Sequence, residues 1–167
     1  MTPVDPAREK VERADEVVRE VQESVIDDPT VFVKSAGLGA LTQVALSKLA
    51  QRSTDAGVRA LADQVRLSQD AILKELRAVA GRKRLDVPTS LVYQDEQMLG
   101  GAEGKSGADF DAWFVQQTIV EHLKSATLYE AARKMKDAQL AAFAAKTLPV
   151  LEADRQKASD VALAAAR

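Results

Sequence analysis

Chemistry has few places to reside in this sequence. Its 167 residues contain one histidine, His122, and no cysteine. Without thiols there is no cysteine zinc site, iron–sulfur cluster or thiol redox centre. One imidazole supplies neither a three-histidine zinc site within one chain nor the paired-histidine helical motif of zinc proteases. A di-iron centre in a helical bundle takes a Glu from each of two helices and Glu-x-x-His from each of the other two. That motif does not occur here. Glu121 directly precedes His122, and neighbours on a helix point about 100° apart. The lone serines lack the histidine geometry of a catalytic triad. Gly104-Lys105-Ser106 carries three letters of a phosphate loop but follows no strand. Arg82-Lys83-Arg84 after Gly81 reads as a solvated basic cap on a helix C-terminus.

What remains is one polar residue on an apolar helical line in each of four segments. Gln43 falls in line with Ala36, Ala40, Ser47 and Ala50, and Gln69 with Val65, Ile72 and Leu76. His122 shares a face with Val115, Ile119, Ala126 and Tyr129; Asp154 shares one with Leu151, Ala158, Val161 and Ala165. If the four faces meet, Gln43, Gln69, His122 and Asp154 form an interior polar layer, which the low dielectric obliges to be hydrogen-bonded or hydrated. Three readings follow from the residues: a core network holding helix register, a weak site for a divalent metal or small ligand drawing on Glu121, His122 and Asp154, or side chains that face water.

The elements that must position these residues are helical throughout, since no segment alternates apolar and polar residues at strand period. Residues 1–28 read as an accessory helix, with Pro6 in its first turn and a narrow stripe of Val11, Ala14, Val18, Val21 and Val25. Such a stripe covers a groove or pairs with a partner helix, which makes it a route to a homo-oligomer. Asp27-Asp28-Pro29-Thr30 ends that helix and caps the next. The second carries Val33, Leu38, Leu41, Ala45, Leu46 and Leu49 to about Arg52. Ser53 or Thr54 caps a third, whose Val58, Leu61, Val65, Ile72, Leu76 and Val79 share a face up to Ala80, with Gly81 as the stop. Residues 85–106 read as a crossover with one short helical segment after Thr89, because they are too long for a tight turn. A fourth helix spans about 109–135, with Trp113 and Phe114 packing on its neighbours, and a fifth about 137–165. Pro149 inside the fifth predicts a kink near 146–148. Two helical pairs joined by one long connection predict an all-α fold: a ferritin-like four-helix up-down bundle over 29–167 with an extra N-terminal helix.

Composition narrows function further. Twenty-three Lys and Arg against 25 Asp and Glu leave a net charge of −2, which gives no field to draw in nucleic acid. No stretch approaches the roughly 18 apolar residues of a membrane span, and the first fifteen residues hold no apolar signal core, which keeps a cytoplasmic address open. A single domain of this length folds without disulfides or structural metal.

Two groups of residues then bear a family resemblance. Phe32-Val33, Ala36-Gly37-Leu38-Gly39, Gln43-Val44-Ala45-Leu46 and Leu49-Ala50, followed by Leu61-Ala62 and Gln64-Val65, form the first. Phe110-Asp111, Glu121-His122 and Thr147-Leu148-Pro149-Val150-Leu151 before Asp154 form the second. In order and spacing, over about residues 30–165, they resemble the bacterial domain-of-unknown-function family 4142, a ferritin-like group. That family carries an Asp-His pair on two helices, another histidine after Leu-Pro, and commonly a Glu on its first helix. The matching positions here are Ser68-Gln69, Glu121-His122, Asp154 and Gln43. The resemblance therefore implies a degenerate interior site in a non-enzymatic binding or stress-associated interaction module, with no dedicated cofactor. It also implies an exported protein of the periplasm or cell envelope. The alternative it leaves is a metal-binding or metal-sequestering protein using Glu121, His122 and Asp154.

Overall fold

The computed structural model describes residues 27–166, and within them every regular element is helical. The accessory helix expected over 1–28 lies almost wholly outside the described residues. Helix α1 spans Pro29–Leu49 and closes in a 3-10 turn, Ala50–Arg52. It is followed by α2 (Ala56–Arg82), a short α3 (Tyr93–Gly100), α4 (Gly107–Ala132) and α5 (Ala138–Ala165). The expected short segment in the crossover is α3.

Start signals act locally, through side chains that satisfy the free N–H groups of a first turn. Asp28 accepts from the N–H groups of Thr30 (2.9 Å) and Val31 (3.2 Å), with Pro29 opening the helix as expected. Asp137 caps α5 in the same way through Gln139 and Leu140, each at 3.1 Å. The cap of α2 corrects the expectation of Ser53 or Thr54: Asp55 takes it, accepting from Val58 N at 2.9 Å. Ser53 Oγ instead donates to Asp111 at 2.6 Å, a partner from a distant helix.

The end of α2 also differs from expectation. Gly81 lies inside the helix, which runs on to Arg82. The left-handed residue that ends it is Arg84, at φ 56°. The N–H of Leu85 then reaches back to the carbonyl of Ala80 (2.9 Å) and that of Arg84 to Gly81 (3.1 Å), the paired bonds of a Schellman ending. Leu85 packs onto the adjacent apolar cluster, and this contact holds the ending in place without glycine. Helix α5 is continuous through Pro149, whose missing N–H leaves the Ala145 carbonyl without its helical donor.

Two apolar clusters give the helix directions. One gathers the start of α1 (Phe32, Val33, Ala36), the end of α2 (Ile72 to Ala80), the end of α4 (Tyr129, Ala132) and the start of α5 (Leu140 to Leu151). The other gathers the end of α1 (Leu46), the starts of α2 (Val58 to Val65) and α4 (Phe110 to Val115), and Ala158 late in α5. Helices α1 and α5 therefore run one way, and α2 and α4 the other. The main contacts pair α1 with α2, α4 with α5, α2 with α5 and α1 with α4, so each long helix lies against two antiparallel neighbours.

Because α2 ends where α4 ends, residues 83–106 must travel the length of the helices. Val87 and Pro88 press on α1 at Gly37, where a Cβ would stand 2.8 Å from Pro88 Cδ. At the far end Arg52 ties the connection down. It donates to the carbonyls of Ala102 (2.9 Å) and Lys105 (3.0 Å) while lying 4.0 Å above the Phe110 ring.

The expected core residues of α2 are all buried. On α1 the expected Val33 and Leu46 are buried, and so is the line Ala36, Ala40, Gln43, Ser47 and Ala50, whereas Leu38, Leu41, Ala45 and Leu49 are half-buried flanks. Small side chains facing inward let α1 approach its neighbours closely.

Candidate functional site

Between the two clusters each long helix turns a polar residue inward. On α1 it is Gln43, between Ala40 and Leu46; on α2 it is Gln69, between Val65 and Ile72. On α4 Thr118 and His122 lie beyond Val115, and on α5 Asp154 separates Leu151 from Ala158. All five are 3 % exposed or less. The four expected residues are thus all buried along the middle of the four long helices, in a belt that also holds Thr118, which the helical lines did not single out.

Four of its members are joined directly. His122 Nδ1 lies 2.8 Å from the Thr118 carbonyl and 3.0 Å from Gln43 Nε2. Protonated, this nitrogen donates to the carbonyl; unprotonated, it accepts from the amide, so it is occupied in either tautomer. Gln43 Nε2 also donates to Thr118 O at 3.4 Å. On the other side of the ring, Nε2 faces Asp154 Oδ2 at 3.4 Å.

Asp154 is held chiefly by residues outside the predicted set. Ser68 Oγ donates to Oδ2 and Gln64 Nε2 to Oδ1 at 3.0 Å, both from α2. A buried carboxylate needs such donors to offset its lost hydration. Gln64 and Ser68 lie four apart, one turn of α2. They are half-buried, so a search for polar residues on the apolar stripe passes over them. The signal that could have found them is the demand of Asp154 for neighbouring donors.

Gln69 is buried on α2 but is not hydrogen-bonded to the other four. Its Nε2, Gln43 Oε1 and Thr118 Oγ1 are buried side-chain atoms with no hydrogen-bond partner. Glu121 is buried, and its Oε1 accepts from Lys124 Nζ at 2.9 Å. Glu121, His122 and Asp154 are therefore not gathered into one ligand set. Among the described residues no group of three His, Cys, Asp or Glu could hold a metal ion. What the belt offers chemically is hydrogen bonding among buried polar groups.

The neighbouring aromatic cluster closes one side of the belt. The Phe32 and Tyr129 rings meet edge to face with centroids 5.4 Å apart, and Phe143 lies 5.7 Å from Tyr129. Burial pushes the Tyr129 phenol well above its ordinary pKa, so it stays neutral. No described helix is long and apolar enough to cross a membrane. A family model described as a domain of unknown function, DUF4142, matches residues 18–161. No curated protein and no solved structure matches the chain.

Proposed function

Since the chain belongs to the DUF4142 family of domains of unknown function, we propose that it is a ferritin-like helical bundle of the bacterial envelope without enzymatic activity. It serves as a binding or stress-associated interaction module, and its interior polar belt is a degenerate site that holds the helices in register. The observation that carries this reading is the occupation of the only imidazole and its carboxylate by protein partners. Nδ1 is taken by Thr118 and Gln43, and Asp154 by Ser68 and Gln64. A ferritin-like arrangement is supported by antiparallel neighbours with one full-length crossover. Assembly into a homo-oligomer through the valine stripe of residues 1–28 belongs to the same proposal.

The second reading, a metal-sequestering protein, draws on the approach of His122 Nε2 to Asp154 Oδ2. It must do without Glu121, which is engaged with Lys124. Elemental analysis of purified protein and calorimetric titration with iron, zinc and copper separate the two. The expected result is no stoichiometric metal; a bound equivalent that disappears in His122→Ala reverses the assignment. For assembly, removing residues 1–26 is expected to lower the mass in solution to that of a single chain, and an unchanged association state counts against the valine stripe.

A further inference from the structure

The belt contains a set of polar atoms that its protein partners leave unmatched. Gln43 Oε1, Gln69 Nε2 and Thr118 Oγ1 are buried and without a hydrogen-bond partner, on residues 1 %, 3 % and 0 % exposed. Such atoms are rare in folded proteins because each loses hydration without recompense. The threonine is the most telling. Other hydroxyls in these helices bond to the carbonyl four residues back: Thr42 to Leu38, Ser47 to Gln43, Thr127 to Leu123 and Thr147 to Phe143. Thr118 has no such bond, so its hydroxyl remains available inside the belt.

The three atoms also specify what would satisfy them. Gln69 Nε2 is a donor, which opposes a cation; Gln43 Oε1 is an acceptor, which opposes an anion. Thr118 Oγ1 does both. The guest is therefore neutral, and it both donates and accepts. It is also small, because each of the three side chains is closed off from solvent. The residues that flank Gln43 on the inner face of α1, Ala40 and Ser47, are small and buried. We infer that the belt is a binding site for interior water, with a water molecule accepting from Gln69 Nε2 and donating to both Gln43 Oε1 and Thr118 Oγ1. Three bonds to otherwise unpaired buried groups are about what one interior water makes. Water serves either orientation of the two amides, because it donates and accepts.

This inference rests on the belt being a non-metal polar site, and its test is separable from the metal titration. Magnetic relaxation dispersion of water oxygen and deuterium is recorded on the full chain after chelator treatment. At least one water with a residence time longer than molecular tumbling is expected, and both Thr118→Val and Gln69→Leu are expected to reduce that long-lived population. Absence of long-lived water in the unmodified chain, or a population unchanged in both variants, overturns the site. Should a variant lose its helical signal, a crystal structure of the unmodified chain decides. A water bonded to two or more of the three atoms upholds the site, and direct bonding among those atoms or an empty belt refutes it. Metal found in the titration would overturn the proposed function while leaving these outcomes readable on their own.

Discussion

At the scale of single residues, His122 shows how a buried ionisable group is kept at tolerable cost. Both ring nitrogens face polar partners, and Asp154 is gripped by two α2 donors besides the imidazole. Removing the ring strips Asp154 and Gln43 of a partner and opens a cavity in the middle of the bundle. His122→Ala is expected to lower unfolding free energy by about 3–5 kcal/mol in urea titration. Asp154→Asn keeps the shape and one acceptor oxygen, so its cost is smaller, about 1–3 kcal/mol. Equal losses from the two would show that the imidazole–carboxylate contact, not packing, sets the penalty. Gln43, Gln69, His122 and Asp154 were legible in the sequence because a polar residue recurring on an apolar helical line has to be buried with it. Ser68 was singled out only through the family resemblance and the role of Gln64 not at all, since half-buried flanking residues carry no periodic signal. The outward engagement of Glu121 depends on Lys124 being three residues on and on a side-chain direction that spacing alone leaves open.

At the scale of elements, helix ends respond to simple chemistry. Burial nudges the Asp137 carboxyl upward, but the Lys83 ion pair at 2.7 Å and the N–H groups of Leu140 and Gln139 outweigh it and lower its pKa. A carboxylate with a lowered folded-state pKa stabilises above its unfolded pKa, and that stability is lost as pH falls through the folded value. Asp137→Asn should therefore flatten the acid limb of a stability–pH profile, keeping its capping ability at neutral pH while losing the Lys83 pair. An acid limb of unchanged steepness would remove Asp137 from the account. At the opposite kind of terminus, Arg84 occupies a left-handed conformation that costs an ordinary L-residue about 1 kcal/mol. Arg84→Gly is expected to raise thermal stability by roughly that amount, because the Schellman bonds stay available. A fall in melting temperature would mean that the arginine side chain contributes more than its backbone loses.

At the scale of the whole molecule, two apolar clusters at opposite ends of four long helices hold the chain together across a polar middle. Stability on this plan comes from burial at both ends. Dialysis against a chelator is therefore expected to leave the unfolding midpoint unchanged, and a drop of several degrees would point to a structural metal. The sequence by itself determined the helical class, the rough limits of the long helices, the start of α1 at Asp28-Pro29, the inward line of α2, and the burial of Gln43, Gln69, His122 and Asp154. These depend on interactions within a few residues, namely the 3.6-residue period and the free N–H groups of a first turn. Only the tertiary structure decided that Asp55 rather than Ser53 caps α2, that Arg84 rather than Gly81 ends it, and that Ser68 and Gln64 hold Asp154. Each of those outcomes is settled by a distant partner: Asp111 for Ser53, the apolar cluster for Leu85, and a carboxylate from α5 for the two α2 donors. Contacts between segments far apart in sequence leave no local periodicity, so they become readable only once the helices are packed.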